Sequence, residues 1–213
     1  MNTTELLSIF RAEVQDAVQP YLWADDLVYG YIDDAQKQFC RDTYGISDAR
    51  SFKITMKGDG AEWFKLDPRI LKIRSAVLAG TGIAIPLVPV EKMEASGLRF
   101  DGKNGRVRAL ITGLEANTVR TVPIPDIAGV VNLVTFRLPD DVGAGDDLEI
   151  EPQHQRALLH WVKHKAYDVQ DSEMFDKDAS GKYLIKHNEC CSKALHEQSR
   201  AGHTAGTVIY GGI

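Results

Sequence analysis

The sequence predicts an α+β protein: a four-helix bundle drawn from both chain ends, with a small β-sandwich or barrel module inserted between the second and third helices. Three observations lead there. Of the 26 glycines and prolines among 213 residues, 17 fall in 51–150, and these residues punctuate turns and short strands. The flanks instead carry apolar residues at helical spacing. Amphipathic helices split between two chain ends can bury their stripes together in one bundle. The expected division is 1–50 as the first half of the bundle, 51–150 as the β module, 151–202 as the second half, and 203–213 as a flexible C-terminal tail.

The first helix is expected from about Thr4 to Val18, with Leu6, Phe10, Val14 and Ala17 on one face. Pro20 stops it, because the residue before a proline avoids helical geometry. The second is expected from Asp25 to Tyr44. Asp25 can cap the orphan amides, Val28, Tyr31, Ile32, Ala35 and Phe39 form the stripe, and Gly45 ends it. Asp33 and Asp34 face away from that stripe. Seven strand-like runs follow, at 51–56, 62–66, 70–79, 83–88, 105–113, 117–122 and 130–138, with one or two helical turns at 90–96. Prolines at 86, 89, 123 and 125 mark edges and bends. Pro152 suits a first helical position and opens the third helix, which carries Ala157, Leu158, Trp161 and Lys165 with Val162, Ala166 and Val169 on its broad inner face to about Gln170. The fourth runs from about Asp178 to Arg200, with Tyr183, Leu184, Cys191, Ala194 and Leu195 inward and Gly202 as its stop.

Composition narrows the function. Hydrophobic residues make up 44% and charged residues 26% of the chain, the balance of a globular protein with a real core. No run approaches the ~20 apolar residues of a membrane span, so no membrane partner is expected. The start lacks a basic stretch, and Glu5, Glu13 and Asp16 interrupt it, so a signal peptide is not expected. Three cysteines form no disulfide framework, which fits a reducing, cytoplasmic folding environment. The net charge of −5 sits wholly in 1–50, where nine acidic residues face four basic ones. The basic footprint of a nonspecific nucleic-acid binder is missing.

The sequence offers little chemistry. His160 and His164, and again His187 and Cys191, stand four apart on one helix face, at metal-ligand spacing. His160 is followed by Trp161 where a zinc-protease motif has Glu. Cys190 and Cys191 point to different helix faces and cannot chelate together. Neither lies at a helix N-terminus, where a thiolate is favoured. No nucleophile elbow, phosphate loop or calcium loop is complete. The expectation is therefore no catalytic residue, no metal and no cofactor. The alternative is a small metal- or ligand-binding enzyme using the His-rich C-terminal helices.

Two stretches carry a resemblance. Residues 6–42 contain Pro20-Tyr21-Leu22-Trp23, an acidic cap, then Leu27 followed by Tyr31-Ile32-Asp33-Asp34-Ala35. Residues 154–195 contain an Ala-Leu-x-x-Trp helix ending in Ala-Tyr, an acidic link and a long last helix. Together they resemble the head-to-tail connector (adaptor) proteins of tailed bacteriophages, especially the short-tailed ones. The segment between them carries no recognised motif.

The resemblance implies a non-enzymatic virion structural protein of the neck, the head–tail junction, assembled in the host cytoplasm. It implies a ring, commonly of twelve copies, that joins the portal protein to the tail nozzle. Genome DNA passes through its channel on ejection without specific binding. Asp33 and Asp34 are the first candidates for channel lining, with a solvated outer face as the alternative. Pro20 and Trp23 are read as a structural turn, Trp23 lying either in the core or in a subunit interface. In the tail, Val208, Ile209 and Tyr210, with Ile213, are β-formers and apolar residues among glycines. They are read as an anchor on the portal or a neighbouring subunit, or as a strand folded back on the β module.

Overall fold

The computed structural model describes residues 1–95, 102–171 and 174–202. The fold is α+β. Its helices are α1 (Thr3–Val14), α2 (Asp25–Asp42), α3 (Val90–Ala95), α4 (Gln155–Tyr167) and α5 (Lys177–Gly202). Its strands are β1 (Ile46–Asp48), β2 (Lys53–Met56), β3 (Trp63–Lys65), β4 (Ile70–Leu78), β5 (Ile83–Ile85), β6 (Leu87–Pro89), β7 (Asn104–Gly105), β8 (Ala109–Thr112), β9 (Thr118–Val122), β10 (Ile124–Pro125) and β11 (Gly129–Arg137). The chain divides into two compact units, Ile46–Leu138 and the remainder on either side of it. Among the described residues no helix is long and apolar enough to cross a membrane.

In the helical unit, α4 packs against both α2 and α5, and α1 packs against α2 and α4. Ala157, Leu158, Leu159, Val162 and Ala166 bury one face of α4, and its two alanines permit close helix approach. Val28, Ile32, Ala35 and Phe39 bury the stripe of α2. A capping box opens α1: the Glu5 amide donates to Asn2 Oδ1 at 2.8 Å, and the Asn2 amide to Glu5 Oε2 at 3.0 Å. The loop before α4 clasps the same helix end. Buried Thr3 donates from its amide to the Asp146 carbonyl (2.9 Å) and from its hydroxyl to the Gly143 carbonyl (2.7 Å).

Helix ends differ from expectation for local reasons. α1 stops at Val14 rather than Val18, because Gln15 turns left-handed at φ 60° and its amide bonds back to the Arg11 carbonyl. Ala17, expected on the stripe, is therefore exposed. Asp25 does not cap α2. Ala24 holds the cap position, and Asp25 pairs with Arg11 instead.

In the β unit, β11 is the organising strand of one sheet, ordered β1-β11-β4-β5. β1 and β2 both pair antiparallel with β11, Ile46 opposite Arg137 and Met56 opposite Gly129. A second sheet is ordered β3-β9-β8-β6, and β7 and β10 form a short parallel pair. One hydrophobic cluster draws on both sheets: Ile54, Met56, Ala76, Val131 and Leu133 from the first, Leu110 and Val119 from the second. Both strand orders are open, so the barrel form of the expectation is corrected. The run 83–88, expected as one strand, is two. Pro86 has no amide to donate, its carbonyl accepts from the Leu110 amide at 2.9 Å, and the chain crosses there from β5 beside β4 to β6 beside β8.

Asp48 closes the turn after β1. Its Oδ2 accepts from the Ser51 hydroxyl (2.6 Å) and Arg137 Nε (3.0 Å), and its Oδ1 from the amides of Ser51 and Arg50 (2.9 Å each). The Ser51 hydrogen bond, with the amides and Arg137, holds its carboxyl far below the usual range, against the opposing effect of burial.

Candidate functional site

The turn from α1 to α2 is built around a buried cation. Arg11 lies on the inner face of α1, 8% exposed. Its Nη1 donates to Asp16 Oδ2 at 2.6 Å, and its Nη2 donates to the Trp23 carbonyl at 2.9 Å and to Asp25 Oδ1. The guanidinium sits 3.6 Å from the Tyr21 ring centroid, a cation–π contact. Asp16 in turn accepts from the amides of Leu22 (2.8 Å) and Trp23 (3.4 Å). Five residues of one local stretch thus satisfy each other's charges and orphan amides. Trp23 is 2% exposed. It meets Phe10 and Tyr167 edge-on at 5.6 and 5.7 Å and donates from Nε1 to the Ala166 carbonyl at 3.0 Å. Pro20 is exposed, as are Val18 (81%) and Leu22 (40%) beside it.

Asp33 and Asp34 are half-buried. Asp33 accepts from Lys37 Nζ at 2.6 Å and from the Val142 amide at 3.1 Å. Lys37 also reaches Asp141. Asp34 accepts from Trp161 Nε1 at 2.9 Å, tying α2 to α4. Both carboxylates hold the helical unit together as well as carrying charge.

Behind Trp161 lies a buried polar cluster. The Trp161 ring is 5.1 Å from that of His187, which is wholly buried on α5. His187 Nδ1 bonds the Ala157 carbonyl at 3.1 Å. A carbonyl oxygen only accepts, so Nδ1 carries the proton. Nε2 lies 3.3 Å from Asp42 Oδ2, at the last residue of α2, and 3.3 Å from Cys191 Sγ. Burial, then the Asp42 charge, pushes the Cys191 thiol up to about 12. Cys190 is half-buried beside it.

The other histidine pair does not converge on a third ligand among the described residues. His160 stacks on Tyr183 at 6.1 Å, and burial with Lys186 and Lys163 nearby lowers its pKa. His164 Nδ1 lies 2.9 Å from Ser180 Oγ. Lys163, 3% exposed, pairs with Glu13 and faces the Tyr183 ring at 5.0 Å. The Lys163 hydrogen bond holds the Glu13 carboxyl below its usual range, against partial burial.

Sequence reasoning missed the Arg11 centre, although Asp16 and Asp25 flank it at loop distance. It weighed His187 with Cys191 but not Asp42, which lies 145 residues from His187. Val208, Ile209, Tyr210 and Ile213 fall outside the described residues. No curated protein matches the chain. A family model described as SU10 adaptor protein matches residues 1–202. That match spans both units, and the chain belongs to the SU10 adaptor protein family, a family of bacteriophage head–tail adaptors.

Proposed function

We propose that copies of this chain form a ring, commonly of twelve, that joins the portal to the tail and lets genome DNA pass through its channel on ejection. The single observation that carries this is the family match over residues 1–202. The role is structural, not enzymatic, and its place is the neck of the virion. The helices from both chain ends act as a four-helix wall, and the β unit, which follows α2 and precedes α4 in the chain, is a sandwich-like module. The Arg11-centred turn supports that reading, because a wall that packs repeatedly against copies of itself needs a fixed angle between α1 and α2.

Asp33 and Asp34 remain the candidates for negative charge along the channel, where weak repulsion lets DNA slide. Asp34 is the better of the two, since Lys37 balances Asp33. Val208, Ile209, Tyr210 and Ile213 are the candidate anchor on the portal or an adjacent subunit, through added-strand pairing. The test mixes purified chain with portal-bearing heads and images the necks. The full chain should add one ring per portal, and deletion of residues 203–213 should abolish attachment. Failure of the full chain to bind would overturn the adaptor reading. Full attachment by the truncated chain would overturn only the anchor.

A further inference from the structure

We propose that Asp42, His187 and Cys191 form a site for one Zn²⁺ ion, which would pin the C-terminal end of α2 to the middle of α5. The inference does not depend on the ring. The three side chains offer one oxygen, one nitrogen and one sulfur, all within 4.8 Å of one another. The two separations measured from the histidine nitrogen suit a tetrahedral ion. Zinc–ligand distances of about 2.0–2.3 Å place N and O about 3.3 Å apart and N and S about 3.6 Å apart. The observed separations from Nε2 are 3.3 Å to each.

The histidine is already oriented as a ligand. Its Nδ1–H is spent on the Ala157 carbonyl, which turns Nε2 toward the other two groups. A ligating histidine is ordinarily held in this way by an outer acceptor. His187 and Cys191 are one turn apart on α5, so they share a face. The Trp161 ring against His187 shields one side. Asp42, whose side chain is 31% exposed, leaves an approach for the ion and for a water as fourth ligand. Metal binding would release the Cys191 proton to solvent, and the sulfur ligand so formed selects a borderline-soft ion over magnesium or calcium. With thiolate and carboxylate as ligands, the dication's charge is neutralised.

The test titrates untagged full chain with Co²⁺ as a spectroscopic probe, then with Zn²⁺. One equivalent should produce thiolate-to-cobalt charge-transfer absorption, which Zn²⁺ removes. Cys191→Ser should abolish that absorption and weaken Zn²⁺ binding by at least about a hundredfold, since removing a direct ligand costs no less than disturbing the outer partners that orient one. Asp42→Asn, at a partly exposed helix end, should weaken it by at least about tenfold. Failure to bind cobalt, or cobalt binding without the charge-transfer band, as surface histidines would give, overturns the proposal. If Cys191→Ser does not fold, Asp42→Asn decides, and unchanged Zn²⁺ affinity there overturns it. Because the readout is metal binding and not attachment to heads, failure here leaves the adaptor reading standing.

Discussion

Asp48 shows how much one carboxylate can organise. Four donors from Arg50, Ser51 and Arg137 converge on it, and its side chain is only 10% exposed. Its folded pKa lies below its unfolded value near 4. Its contribution to stability is therefore whole above about pH 4 and is lost as the pH falls below that toward the folded value. Asp48→Ala should destabilise the β unit by about 2 kcal/mol at pH 7, since Arg137 and two amides lose their acceptor. The gap between variant and parent, read by urea unfolding, should narrow as the pH is lowered from 4 toward 2. A gap that does not change with pH would show that the carboxylate's charge is not what matters. Arg11 works in the same way in the helical unit. It was hard to see in the sequence, because an arginine beside Phe10 on an apolar face reads as a solvated charge until Asp16 and Asp25 fold back onto it.

At the scale of elements, periodicity placed the helices well, and the ends were set by contacts it does not encode. The stripes Leu6–Phe10 and Val28–Ile32–Ala35–Phe39 are buried as their spacing predicts. Where α1 ends depends on Gln15 adopting φ 60°, ψ 31°, a left-handed conformation that costs a non-glycine residue roughly 1–2 kcal/mol. Gln15 is exposed, so little packing offsets that cost. Gln15→Gly should raise stability by about 0.5–1 kcal/mol, the relief of strain less glycine's greater chain entropy. Denaturant unfolding followed by helical circular dichroism measures it, and a destabilised variant would mean that the glutamine side chain holds the turn. The strands were legible by alternation except where pairing is long-range. β1, β7 and β10 are two or three residues long and carry no pattern of their own. Pro86 marked a bend in the sequence, but a change of sheet can be seen only once β5 and β6 have different partners.

At the scale of the molecule, the α+β class followed from where glycine and proline fall. The candidate sites did not follow as readily. Asp42, Ala157 and His187 meet across three helices, the outer two 145 positions apart in the chain, and no local pattern announces such a meeting. Residues 139–150, grouped in the sequence with the β module, instead hold the start of α1 through Thr3. Their turn-rich composition is that of a β segment, and only their hydrogen bonds tell them apart.

The pairing of Ile46 with Arg137 has a consequence for chain entropy. It brings the two ends of a 93-residue unit to about 5.5 Å, the width of a strand pair. To the helices on either side, the folded β unit is a short loop. Closing a loop of that length unaided would cost about 2–3 kcal/mol more than closing one of about five residues, and β1 with β11 removes that cost once the unit has folded. Replacing residues 46–138 by a flexible linker of about five residues should therefore leave a helical protein that melts cooperatively, read by circular dichroism. Loss of helix in that variant would mean that the helical unit depends on the β unit for more than connection. A segment joined in this way can be lengthened, shortened or exchanged without disturbing the helices, so the two units can vary at different rates within one chain.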